Sequence, residues 1–63
     1  MIEKLAYGVE EATSALGISR SRIYELIASG DLKSYMEGRR RLISRRALNE
    51  YVDRKEREGR AAA

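Results

Sequence analysis

The sequence predicts a mainly α fold with one small β-hairpin: two short helices joined by a tight turn, a two-stranded ribbon and a third helix. Three observations predict it. Apolar residues recur at three-and-four spacing from Val9 and again from Ile23, with only Gly17-Ile18-Ser19 between the two helical runs. Two short strand-compatible segments flank Glu37-Gly38-Arg39-Arg40, and a third amphipathic stretch follows Ser44. At 63 residues there is room for one domain, residues 1–63, with its core expected over residues 5–58. A chain this short offsets its ordering entropy only narrowly, so every element must serve one core.

In the first helix Val9, Ala12, Ala15 and Leu16 share a face, and Glu10 and Glu11 occupy the first turn, where the helix dipole favours negative charge. Gly17 supplies the left-handed residue that ends it, Ile18 is expected to plug the space between the helices, and Ser19 is placed to cap the second helix. There Ile23, Leu26 and Ile27 form the apolar stripe, Arg20, Ser21, Arg22, Glu25, Ala28 and Ser29 occupy other faces, and Gly30 terminates the helix. Leu32-Lys33-Ser34-Tyr35-Met36 and Arg41-Leu42-Ile43 are read as the two strands, with Gly38 taking the positive φ of a hairpin turn. Ser44 is placed to cap a third helix with Ala47, Leu48, Tyr51 and Val52 on its core face. Glu50 with Arg54 and Asp53 with Arg57 are spaced for ion pairs on its outside. Gly59 is expected to stop that helix and leave residues 59–63 as a frayed tail. The order α-turn-α-β-β-α is that of a winged helix-turn-helix.

With no Cys and no His, neither thiolate nor imidazole ligands exist, which excludes a zinc site and a disulfide scaffold. The carboxylates are scattered and no glycine-rich phosphate loop occurs, so no general base or nucleophile can be assembled. The chain is therefore not read as an enzyme, and neither a cofactor nor a small-molecule ligand is expected. No apolar run approaches membrane-spanning length, and Met1 to Tyr7 lacks the basic start and apolar stretch of a signal peptide. A cytoplasmic protein with no membrane partner is the expectation.

The net charge of +3 is unevenly spread. Residues 1–19 carry Lys4 against Glu3, Glu10 and Glu11, for −2, whereas residues 20–46 carry eight Lys or Arg against Glu25, Asp31 and Glu37, for +5. The remainder is neutral. Such a single-sign field repels itself, which points to an anionic partner. Arg20 and Arg22 fall in the first turn of the second helix, and Arg45 and Arg46 in that of the third. Each opposes its helix dipole by roughly 0.3–1 kcal/mol. A phosphate at those helix starts would reverse the sign, because free backbone N–H groups and guanidinium forks would converge on it.

Double-stranded DNA is the partner this pattern fits. Ser19, Arg20, Ser21, Arg22, Tyr24 and Glu25 are the candidate contacts of a recognition helix. Lys33, Gly38, Arg39, Arg40, Arg41, Arg45 and Arg46 are those of the wing and the third helix start. Tyr24 adjoins the apolar stripe, so its hydroxyl is equally suited to a phosphate and to simple packing. Tyr7, Tyr35 and Tyr51 are expected to pack. Glu25 has three open readings: accepting from a cytosine amino group, orienting Arg22 or less directly Arg20, or plain solvation. The competing class is a protein-interaction module that holds an acidic partner on its basic face.

Five segments in order carry a family resemblance: Tyr7-Gly8-Val9-Glu10-Glu11-Ala12, residues 16–27 from Leu16-Gly17-Ile18-Ser19 to Leu26-Ile27, Gly30-Asp31-Leu32, Gly38-Arg39-Arg40-Arg41, and Ser44-Arg45-Arg46-Ala47-Leu48. Together they resemble the excisionase-like winged helix-turn-helix family, relatives of the MerR DNA-binding domain, from about Tyr7 to Val52. The resemblance implies a helix over 20–29 in the major groove and a wing around Glu37 to Arg41 against the backbone or the adjacent minor groove. It also implies a phage or mobile-element excisionase, a recombination directionality factor that bends DNA so that integrase excises. Because the third helix is short and no effector domain follows in the sequence, effector sensing is not expected. A module this small makes few contacts, so self-association on repeated sites, or docking on integrase, is expected. A small transcriptional repressor using the same surface is the alternative. Two positions depart from the family: Gly8 stands where a Thr or Ser cap is usual, and Arg41 where many relatives have an aromatic or apolar residue, which leaves the hairpin register open.

Overall fold

The structure, a computed structural model, describes residues 4–62, with side chains for residues 4–60. Residues 1–3, part of the segment read for a signal peptide, and Ala63 of the expected tail lie outside the described residues. The element order is β1 (Ala6–Gly8), α1 (Val9–Leu16), α2 (Arg20–Ser29), β2 (Tyr35–Glu37), β3 (Arg40–Ser44) and α3 (Arg45–Ala62). This is the expected mainly α winged helix-turn-helix with one strand added.

The helix boundaries follow from local chemistry. Gly17, at φ 69°, ends α1 in the left-handed conformation, and its N–H donates to the Thr13 carbonyl at 2.9 Å. The Ser19 hydroxyl accepts from the Arg22 N–H at 3.2 Å, and the Ser44 hydroxyl accepts from the Ala47 N–H at 3.0 Å. Both serines are therefore caps, as their positions predict. Gly8 has no side chain to offer α1; instead the Glu11 carboxylate reaches back and accepts the Gly8 N–H at 3.1 Å.

The sheet is antiparallel with strand order β1-β3-β2. In the hairpin Tyr35 pairs with Leu42, Met36 with Arg41 and Glu37 with Arg40, which closes a two-residue turn at Gly38-Arg39. Gly38 has φ 61° and Arg39 has no positive φ, the type II′ pattern that matches strand twist. The first hairpin strand was expected over 32–36, and it begins at Tyr35 instead. Leu32 is taken by the core, with its N–H donating to the Leu26 carbonyl at 3.1 Å, so the chain after Gly30 folds back under α2 before it extends. Strand β1 was not expected. Ala6, Tyr7 and Gly8 pair with Ser44, Ile43 and Leu42, and the Arg45 N–H donates to the Leu5 carbonyl at 2.8 Å. Its partner is more than 30 residues away, and three residues carry no readable period.

The core joins every layer: Val9 and Ala12 of α1, Ile23 and Leu26 of α2, Leu32, Ile43 of β3, and Ala47 and Leu48 of α3 are all buried. Tyr7, Leu16, Ile18, Ile27 and Tyr51 pack against it, so Ile18 plugs the turn as expected. Three expectations are corrected. Ala15 is exposed, because the two turns of α1 bury only the stripe of Val9 and Ala12. Val52 is 41% exposed, because α3 leaves the core after Tyr51. Tyr35 is 43% exposed, since it pairs with Leu42 and so stands on the sheet face opposite the buried Ile43.

The helix α3 also runs longer than expected, through Gly59 to Ala62. Ion pairs Asp53–Arg57 at 2.5 Å and Lys55–Glu58 at 3.3 Å support this stretch, and terminal alanines have the best helix propensity. The expected Glu50–Arg54 pair is replaced, because Arg54 turns inward to donate to the Asp31 carbonyl and lies 4.0 Å from the Asp31 carboxylate. Among the described residues no helix is long and apolar enough to cross a membrane.

Candidate nucleic-acid interface

With Ile23 and Leu26 buried, Arg20, Ser21, Arg22, Tyr24 and Glu25 are left exposed on α2. Their charges are organised. Arg20 Nη1 donates to Glu10 Oε1 of α1 at 2.9 Å, and the same guanidinium lies 5.7 Å from the centre of the Tyr24 ring. Tyr24 and then Glu10 raise Arg20 further above its ordinary pKa, so it is cationic at any working pH. Arg22 Nη1 donates to Glu25 Oε1 at 3.0 Å. Of the three readings of Glu25, the free structure shows the one in which it orients Arg22. The two arginines that oppose the α2 dipole are thus each held by a carboxylate.

Opposite this helix stands the wing. The first turn of α1, Tyr24 and the hairpin enclose an open groove of about 410 Å³, lined by Gly8, Val9, Glu10, Glu11, Tyr24, Met36, Arg39, Arg40 and Arg41. Arg41 Nη1 donates to the Ser34 hydroxyl at 2.7 Å, which fixes the side chain whose unusual identity had left the register open. Arg40 stands two residues along β3 from Leu42, the partner of Gly8, and a Cβ on Gly8 would lie 3.0 Å from Arg40 Nη2. The missing cap side chain therefore leaves room for a wing arginine. The Glu11 carboxylate is held below the usual glutamate range, first by the hydrogen bond from Lys4, then by the Gly8 N–H and, more weakly, by the charge on Arg40. Lys33 is exposed just before β2.

The start of α3 is elsewhere. Arg45 and Arg46 line a separate depression of about 540 Å³ with Leu5, Ser44, Asn49 and Glu50. They follow the end of β3 opposite the hairpin turn, and the four residue steps from Arg40 to Ser44 span roughly 13 Å. The structure thus brings Tyr24 of α2 and the wing arginines to one groove, leaves Arg20, Ser21, Arg22 and Glu25 on the exposed side of α2 outside its lining, and sets the α3 arginines apart. Several amides expected to face a phosphate are also engaged: those of Arg22 and Ala47 by the caps, and that of Arg45 by Leu5.

A family model for a helix-turn-helix domain matches residues 6–56, from β1 well into α3. The chain belongs to the helix-turn-helix domain family. Over 46 residues it is 46% identical to a "Probable excisionase" from Saccharopolyspora erythraea, an alignment that covers 73% of this chain and 47% of that protein. The chain spans about half the length of the curated relative it matches. No solved structure matches it.

In this helix-turn-helix protein, sequence reasoning missed three contributors to the groove. Met36, 51% exposed, was assigned to a strand without a role, and Glu10 and Glu11 were read only as dipole residues. The pairing of Glu10 with Arg20 spans ten residues and exists only because the turn at Gly17 lays α2 across α1. No local pattern signals it. Among the described residues no group of three or more carboxylates converges as a metal site.

Proposed function

We propose that this helix-turn-helix protein binds double-stranded DNA sequence-specifically and serves as an excisionase of a phage or mobile element. In this reading several copies bind repeated sites side by side, bend the DNA by their summed geometry and direct integrase toward excision. The observation that carries the reading is the groove shared by Tyr24 of α2 and Arg39, Arg40 and Arg41 of the wing. One rigid unit thereby offers an exposed helix to a major groove and a cationic hairpin to the neighbouring backbone or minor groove. The Arg22–Glu25 pair is solvent-exposed, and such pairs contribute roughly 0–1 kcal/mol, so exchanging it for a phosphate or guanine edge is cheap. The similarity to a protein named as a probable excisionase supports the excision role over simple repression.

The test is an in vitro recombination assay with the cognate integrase and the element's attachment sites. Adding this protein should shift the products from integration toward excision. An unchanged balance, with site binding intact in a footprint on the same DNA, would leave a DNA-binding repressor and sink the excisionase role.

A further inference from the structure

Two carboxylates stand at a groove otherwise suited to draw phosphate. Glu11 is accounted for by α1 itself, since it accepts the Gly8 N–H and pairs with Lys4. Glu10 is different. Its carboxylate reaches across to Arg20 at 2.9 Å, and the Arg20 guanidinium also lies over the Tyr24 ring at 5.7 Å. The side chains of both partners are well exposed, 62% for Arg20 and 78% for Glu10, so the pair adds little to stability. What it does is restrict a long, flexible side chain. Arg20 is the first residue of α2, and unaided its guanidinium would sweep a wide arc over the exposed side of that helix.

We infer that Glu10 is a positioning residue for DNA discrimination, holding the Arg20 guanidinium beside Tyr24 so that it meets the duplex in one orientation. The inference rests on the DNA-binding reading above. Two effects of Glu10 have opposite signs, which makes the idea testable. As a bare charge Glu10 repels phosphate, and removing it should tighten binding to every duplex. As an orienting group it sharpens the choice between duplexes, and removing it should blunt that choice. A guanidinium fork discriminates only when its plane is presented correctly to a base edge.

The experiment uses Glu10→Gln, which keeps the side-chain shape. Affinity is measured for a duplex that the wild-type protein selects from a random pool and for a scrambled duplex of equal length. The selected-to-scrambled affinity ratio should fall by up to about fivefold, the most that an exposed ion pair can supply, while binding to the scrambled duplex holds or rises. In an Arg20→Ala background, Glu10→Gln should leave the ratio where Arg20→Ala already put it. An unchanged ratio with uniformly tighter binding would overturn the inference, reducing Glu10 to a charge. So would an equal loss of affinity for both duplexes, or a further fall of the ratio without Arg20. If the wild-type protein selects no duplex at all, the DNA-binding reading itself fails, and this inference falls with it.

Discussion

At the scale of single residues, Gly8 and Glu11 show how one position compensates for another. Glycine at an N-cap is worse than serine by only a few tenths of a kcal/mol, and the Glu11 carboxylate supports the helix start by the other half of a capping box, accepting the N–H of Gly8. In exchange the Arg40 guanidinium can lie close over the start of α1. The capping carboxylate has a pH signature. Glu11 is held below the usual glutamate range, so the unfolded chain takes up this proton more readily than the folded one. Its stabilising contribution is therefore full at neutral pH, present down to the ordinary glutamate value, and lost as pH falls through the lower folded value. Melting curves of the wild type and Glu11→Gln should differ at pH 7 and converge below about pH 4. A gap that stayed constant across that range would mean that the charge on Glu11 does nothing for α1. Residue identities at the caps were legible in advance, because Ser19, Ser44 and Gly17 act on neighbours within three or four positions. The destination of Arg54, at Asp31 instead of Glu50, was not, because it depends on where the chain after Gly30 passes α3.

At the scale of elements, α3 extends furthest beyond what its local signals predict. A glycine late in a helical pattern reads as a stop when it takes the left-handed conformation, as Gly17 and Gly30 do. Gly59 has no positive φ, and the helix continues through it. A Cβ added there meets nothing within 4 Å. Gly59→Ala should therefore raise helicity and add up to about 1 kcal/mol, the glycine penalty in a helix interior, seen as a higher far-ultraviolet dichroism signal and a higher melting midpoint. A drop in either would restore Gly59 as the helix terminator. The hairpin shows the same division between local and non-local information. Its turn was placed correctly because Gly38 must take a positive φ, but its first strand was begun too early because Leu32 looks like a strand residue and is in fact a core residue. Nothing in Ala6-Tyr7-Gly8 marks β1; its strand character comes from the open edge of β3.

For the whole molecule, charge distribution matters more than net charge. The fold distributes the Lys and Arg of residues 20–46: Arg39, Arg40 and Arg41 line the groove with Tyr24, Arg20 and Arg22 stand on the exposed side of α2, and the α3 arginines lie at the far end of β3. Titration of duplex DNA at increasing salt should show affinity falling steeply, with a slope corresponding to roughly five to eight neutralised phosphates. Weak binding with no salt dependence would favour an acidic protein partner on the same face. If the groove alone carried the contacts, charge-removing substitutions at Arg45 and Arg46 would leave that slope unchanged. A reduced slope would mean that the duplex wraps along the sheet to reach the start of α3.

The sequence by itself determined the helix-turn-helix, the hairpin turn, the caps and the segment that holds the positive charge. Helical periodicity, glycine φ and serine capping all act within a few residues, so each can be read without knowing the fold. Only the tertiary structure decided that β1 completes the sheet, that Leu32 enters the core, that Glu10 restrains Arg20, and that the two sets of arginines part company. Each of these depends on which distant segment lies alongside another. That choice is made by burying one shared core from five separate stretches of chain, and no local pattern encodes it.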